Sequence, residues 1–370
     1  VVHVRRFVVL QVLSLSLFFL WVSAAWAKEP VTPQMTLQQA VGRALAINSA
    51  LRLAEYDIDR AYEVRQFAAD KVRYIPTGPA TPEAEAAFNT LLQVDMGWQM
   101  AQKSYTAQED TVVMAVYQAY NGVLGAREKV NSAQIAVESA EWQKKLAVAG
   151  NRAGTVSNMT MVQADAALSG GRAALDAACQ SLDDAYQKFN QLVGLWPEDR
   201  PVLTDQPVYS PLTIDNLDTE VERAIEANPA VWLAGRKIDL AEISLNLYNF
   251  TDPNRIEPYQ ARKIDVDKAL VSASDIQEQA RKLVRSLYYA ARQMEGQYTG
   301  VLEQVKIAEE ALRVTRLKYD LGMATRAEVV RAEASLANAR QSLVDITCQH
   351  EILKMAFRKP WAYAAAGSSF

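Results

Sequence analysis

Residues 89–100 read NTLLQVDMGWQM, and two secondary structures compete for them. Leu92, Val94, Met96, Trp98 and Met100 alternate with Gln93, Asp95, Gly97 and Gln99, the period of a membrane-barrel strand or a half-buried sheet strand. The same residues also suit a helix. Thr81 is a candidate N-cap with Pro82 at the first helical position, Glu83 and Glu85 complement the dipole, and Phe88, Leu92, Met96 and Met100 recur every four residues. Gly97 costs that helix about 1 kcal/mol against alanine, and LQVDMGW keeps the strand open as the rival. Helix is the favoured reading, because a lone strand leaves its backbone groups unpaired in lipid.

Outward from this stretch, the chain is written twice. Residues 36–61 laid over 216–241 coincide at eleven positions, among them Arg43/Arg223, Asn48/Asn228, Ile58/Ile238 and Asp59/Asp239. Residues 151–189 laid over 319–357 share Gly154/Gly322, Ala164/Ala332, Leu168/Leu336, Arg172/Arg340 and Phe189/Phe357, among others. The offset falls from 180 to 168, so the second copy is twelve residues shorter in the zone that holds the opening stretch. The chain divides as 1–27, a signal peptide; 28–200 and 201–358, the two repeats; and 359–370, a C-terminal tail.

Each repeat reads as three helical segments. Thr36 and Gln39 form a capping box for the first, which runs to about Val72; its counterpart runs from about Asn216 to Tyr248. The proline-rich connectors YIPTGPATP (74–82) and FTDPNRIEP (250–258) follow. Long segments then reach Gly150 and Asp320, and each turns back at GNRAGTVSN (150–158) or YDLGMATRAE (319–328). Gly154 and Gly322 suit the left-handed residue past a helix end, and Thr325 with Glu328 makes a second capping box. Met161, Ala164, Leu168, Gly171, Leu175, Ala178, Leu182, Ala185 and Phe189 are spaced 3-4-3-4, as are Val329, Ala332, Leu336, Ala339, Leu343 and Ile346. Val301, Val305, Ala308, Leu312, Thr315 and Tyr319 keep the same period on the facing side. The expected fold is all-α: elongated coiled-coil hairpins, internally duplicated, with barrel strands reduced or absent.

Arg5 and Arg6 precede the apolar run 7–22, and Ala25-Trp26-Ala27 is an A-x-A cleavage signal, so residues 1–27 read as a secretory leader, with a retained anchor as the rival. No later run is apolar enough to cross a membrane as a helix. An exported protein is expected. The net charge of −4, or −6 once Arg5 and Arg6 are removed, offers no basic face for nucleic acid.

Catalytic signatures are missing from the sequence: there is no HExxH, nucleophile elbow or P-loop. His350, the one histidine after the leader, falls on the extension of the second seam and reads as a packed side chain. Carboxylates spread over solvated faces with i, i+4 partners such as Glu141 and Lys145. Cys179 and Cys348 lack the spacing of a zinc site, and a bridge between them stays open. No enzyme activity, metal or cofactor is expected.

TLQQAVGRALAINSAL and EVERAIEANPAV at the repeat starts, VVMAVYQAYNGVLGAREKV in the first long helix, and the turn segments NRAGTVSNMTMVQADAAL and YDLGMATRAEVVRAEASL together resemble the outer-membrane efflux protein family, the TolC-like exit ducts. The resemblance implies a homotrimer whose periplasmic helical tunnel docks on an adaptor, a membrane fusion protein driven by an inner-membrane transporter. It makes the turns at Gly154, Thr155, Gly322 and Thr325 the docking tips. It makes Tyr319 and Glu328 candidates for a constriction, although Tyr319 reads equally as seam packing; Ala324 stands where arginine is usual, and Arg331 replaces a second acid.

The family also inserts two strands per repeat between the first and second helices. Residues 72–110 have room for two, but YNFTDPNRIEPYQARKIDVDKA (248–269) contains no alternating run of the nine to eleven residues a membrane strand needs. Two functions follow: a component of an efflux or secretion duct in the outer membrane and periplasm of a diderm bacterium, or a soluble periplasmic coiled-coil scaffold derived from this family. An adaptor is a weaker third, because no β-rich halves flank a single hairpin.

Overall fold

The computed structural model describes residues 32–72, 81–246, 248, 250 and 257–367. The expected leader and the middle of both proline-rich connectors lie outside these residues. The element order is β1 (Gln34–Met35), α1 (Leu37–Ile47), α2 (Ser49–Ala69), α3 (Pro82–Arg152), α4 (Asn158–Val193), β2 (Val202–Leu203), α5 (Leu217–Ala227), α6 (Pro229–Asn246), α7 (Tyr259–Asp320), α8 (Arg326–Arg358) and α9 (Pro360–Gly367). Among the described residues β1 and β2 are the whole sheet content, two residues each and paired in parallel with each other.

The opening stretch lies inside α3, a continuous helix of 71 residues. At 1.5 Å per residue it is about 106 Å long. Thr81 caps it as expected, its hydroxyl accepting from the Ala84 amide at 3.4 Å. The polar members of the apparent alternation explain the outcome. Asp95 pairs with Arg65 of α2 and accepts from Gln99 Nε2 at 2.8 Å. The Arg65 guanidinium also lies 5.1 Å from the Trp98 ring, which meets Tyr62 at 6.0 Å. Asp95, Trp98 and Gln99 therefore share one face turned to α2, a 3-4 spacing that a strand would split between opposite faces.

Where three segments per repeat were expected, the structure has four helices, because the first is broken in both repeats at the same residue. Asn48 is C-cap of α1 and N-cap of α2: it leaves helical geometry at ψ 120° and its side chain accepts from the Leu51 amide at 3.1 Å. Asn228 repeats the break, accepting from the Ala230 amide at 2.9 Å. Asparagine competes for the backbone in this way more readily than apolar residues do. The two halves thus run through helices in the same order, α1–α4 and α5–α8.

Packing pairs define two tiers. In one, helices lie side by side as α4, α3, α8, α7; in the other, as α2, α3, α6, α7. Only α3 and α7 run through both. Seam residues lie inside as spaced: Leu168, Ala178 and Phe189 of α4 are buried, and Val305, Ala308 and Leu312 of α7 cluster with Val329 and Leu336 of α8. Between the tiers sit two larger cores. Tyr120 anchors the first, edge-on to Phe189 at 5.9 Å, its hydroxyl accepting from the Asp205 amide at 3.0 Å. Met114, Val284, Ala291, Phe357 and Ala362 build the second. The C-terminal tail takes part in it as α9, with Trp361 Nε1 donating to Asp110 Oδ2 at 3.0 Å and Lys359 paired to the same carboxylate.

Candidate docking tips and open edges

Both hairpin turns lie at the end of the tier made of α4, α3, α8 and α7, taken as the lower tier, and share one geometry. Gly154 and Gly322 each hold φ +72°. The Thr155 amide donates to the Gly150 carbonyl at 2.9 Å and the Met323 amide to the Lys318 carbonyl at 2.7 Å, bonds that close each helix end in a Schellman turn. Ser157 and Thr325 then cap the returning helices. Thr155 also sends its hydroxyl to the Gly150 carbonyl at 3.0 Å. Around these turns Met159, Leu321 and Met323 are exposed apolar side chains.

The candidate constriction residues are not brought into contact by a hydrogen bond. Glu328 serves its capping box: Oε2 accepts from the Thr325 amide at 2.6 Å and its hydroxyl at 3.0 Å. These bonds hold its carboxyl below the usual glutamate range. Tyr319 ends the α7 seam, half-exposed. A neighbouring charged group was not foreseen. Arg316 of α7 meets Glu333 of α8 at 2.8 Å, and Arg326 lies 4.0 Å from both Glu333 and Glu138 of α3. This group ties the two hairpins together. Arg326 and Glu333 are seven residues apart on α8, but Arg316 lies across the turn and Glu138 on the other hairpin, so helix spacing within one element could not reveal the whole group. The expected i, i+4 pair is also replaced: Glu141 reaches Arg172 of α4 at 3.0 Å, and Lys145 lies 4.5 Å from the Trp142 ring.

His350 is fully buried, as its seam position implied. Its Nε2 lies 3.4 Å from Glu295 Oε1, while its Nδ1 has no hydrogen-bond partner. Glu295 also accepts from the Leu212 amide at 2.6 Å and Arg292 at 2.7 Å, and Tyr209 stacks on Tyr298 at 3.6 Å. These contacts fasten the connection between the repeats over α7 and α8. Cys179 and Cys348 are both free thiols, the first exposed and the second buried.

The edges of the layer leave apolar side chains exposed. Among the described residues α4 and α7 do not pack on each other, so the lower tier is an open layer and not a closed bundle. Along α7, Ile264, Val271, Tyr289, Ile307, Val314 and Leu321 are exposed, separated by 7 or 18 residues. At 3.6 residues per turn these fall on one line, on the side away from Val305, Ala308 and Leu312. Along α4 the line opposite the core is Met159, Val162, Ala166, Gly170, Ala173 and Ala177, all exposed and mostly small. One edge has knobs and the other has space.

No family model and no curated protein matches the sequence. Solved structures do match the fold. The Campylobacter jejuni outer-membrane channel CmeC superposes with a TM-score of 0.66 at 13% identity, covering 93% of this chain and 91% of that one. CusC, described as forming a transmembrane channel, gives 0.66 at 14%, covering 92% and 95%. The Vibrio cholerae outer-membrane protein VceC gives 0.60 at 14%, covering 88% and 95%. At such identities the shared property is architecture, and it is the architecture that the resemblance to TolC-like exit ducts implied: this chain has the subunit fold of the outer-membrane channels.

Proposed function

We propose that this chain is one subunit of a homotrimeric helical duct in the outer membrane and periplasm of a diderm bacterium, conducting solute and catalysing nothing. The observation that carries the reading is the open layer. Towards the turns α4 and α7 each leave an apolar edge that the chain itself does not cover, and the two edges are complementary in size: Ile307, Val314 and Leu321 against Ala177, Ala173 and Ala166. A head-to-tail contact of this kind generates a ring when its rotation closes. Four long helical rows per chain make twelve in a trimer, the number the resemblance implies. That similar structures include outer-membrane channels supports the location and the role.

The tips are the docking end for a periplasmic adaptor coupled to an inner-membrane transporter. Gly154, Thr155, Gly322 and Thr325 fix the turns, and Met159, Leu321 and Met323 supply exposed apolar surface beside them. Tyr319 stands at the mouth of the second hairpin, with the Arg316–Glu333–Arg326–Glu138 group setting the distance between hairpins. The deciding experiment is the mass and membrane partition of the full chain, fractionated with and without detergent. A trimer in the outer-membrane fraction is expected. A monomer released by osmotic shock would overturn the duct.

A further inference from the structure

The two halves of the chain part company where each hairpin returns. Arg43 and Arg223 hold matching positions on α1 and α5, as Phe189 and Phe357 do on α4 and α8. In the first half α4 ends at Gly194, whose φ of +67° folds the chain back over α1. Val193 is buried there, and a Cβ on Gly194 would collide with Ile47 Cδ1. Arg43 closes the contact, donating to the Val193 carbonyl at 2.7 Å and to the Gly194 carbonyl at 3.2 Å. An apolar side chain and two carbonyl oxygens therefore fill the notch between α1 and α4.

The second half lacks this filling. At the same offset of 168 the counterparts of Val193 and Gly194 are Trp361 and Ala362, but Pro360 opens α9 and carries them away, with Trp361 bonded to Asp110. Ala227 stands on α5 where α1 has Ile47. A cavity of about 450 Å³ is left between α5, residues 212–214 and the end of α8. Leu212, Ala224 and Phe357, all buried, form its floor. Its mouth holds Arg223, which pairs with Glu220 at 2.8 Å, and Arg358, which has no ion pair among the described residues. The acids beside them on α5 are engaged elsewhere, Asp218 with Arg285 at 2.7 Å and Glu222 with Arg281 at 3.1 Å. Two guanidiniums thus face one carboxylate.

The geometry points to a binding site for a small apolar carboxylate, with its hydrocarbon part on Leu212, Ala224 and Phe357 and its carboxylate shared by Arg223 and Arg358. Ligand cavities of this size are built in this way, apolar below with a few polar groups that fix orientation. The ligand restores what Val193 and two carbonyl oxygens supply in the first half. It is a carboxylate and not a neutral carbonyl compound because Arg358 stands where the first half has Asn190, which adds a charge, and guanidiniums take carboxylates in paired hydrogen bonds. The site does not depend on the ring reading above.

The test is ligand-observed NMR on the full chain with octanoate, and with 1-octanol as the uncharged control. For a ligand of this size a Kd of about 1 mM or tighter is expected for octanoate. Octanol should bind about tenfold more weakly, and the double variant Arg223→Gln with Arg358→Gln should bring octanoate down to the level of octanol. Ala227→Trp, at an exposed position on the wall, should fill the cavity and abolish binding of both. Far-UV circular dichroism checks that helix content is kept, and the parent's own preference for octanoate decides the matter where a variant loses it. Equal binding of octanoate and octanol by the parent would overturn the carboxylate site. Octanoate binding unmoved by Ala227→Trp would place the ligand elsewhere and overturn it too, as would no binding to the parent at about 10 mM octanoate.

Discussion

Glu295 shows how one carboxylate can hold a long connection in place. Burial alone pushes its carboxyl up, but the bonds from the Leu212 amide, Arg292 and His350 outweigh that effect and leave it below the usual range. A carboxyl lowered by folding contributes stability above its unfolded pKa of about 4.3 and loses it as the pH falls through the folded value. Glu295→Gln is therefore expected to cost about 1.5–3 kcal/mol near neutrality. The gap between its urea midpoint and that of the parent should narrow from pH 5 to pH 3; a gap independent of pH would remove the charge from the explanation. Burial also pushes the Cys348 thiol up to about 12. Native chains should then react with a thiol reagent at pH 8 at Cys179 alone, and unfolded chains at both cysteines. Single residues were legible where their partner is local. The Thr36 and Thr325 capping boxes were read from spacing and are present. Asn48 and Asn228 were visible as coincidences, and their role as breaks lies in the bonds their side chains accept from the Leu51 and Ala230 amides.

Among elements, α3 is the informative one, since its sequence supported both periods between residues 92 and 100. Tertiary contacts with α2 decide it, through Arg65 and Tyr62. A Cβ at Gly97 would meet nothing within 4 Å, so Gly97→Ala should stabilise the helix by about 0.5–1 kcal/mol and raise the urea midpoint. A fall in stability would contradict the continuous helix. The turns respond in the opposite sense. Gly322→Val forces a β-branched side chain into φ +72°, at a cost of about 1–2 kcal/mol confined to the tip. Adaptor capture in a pull-down should weaken while helix content holds. α9 was read only as a tail, because Trp361 and Lys359 acquire meaning through Asp110, some 250 residues away. Asp110→Ala leaves the Trp361 indole N–H without its acceptor and should cost about 1–3 kcal/mol, measured in the urea midpoint.

For the whole molecule, the two hairpins and their seams were legible in the sequence alone, because a 3.5-residue spacing of apolar residues leaves a helix one face to bury. That spacing says which side of α4 meets α3. It does not say what covers the other side. Ala166, Gly170, Ala173 and Ala177 look like ordinary surface until the structure shows that two helices separate α4 from α7, which has its own line of large side chains exposed. A bulky charge on this edge, as in Ala173→Glu, should therefore leave a folded chain whose mass by light scattering is that of a monomer; an unchanged oligomer would place the contact elsewhere. Helix location and turn chemistry are local properties, written within a few residues of each other. Neighbour order, the ion group that joins the hairpins, and the unsatisfied edges depend on contacts between distant segments, and only tertiary structure decides those.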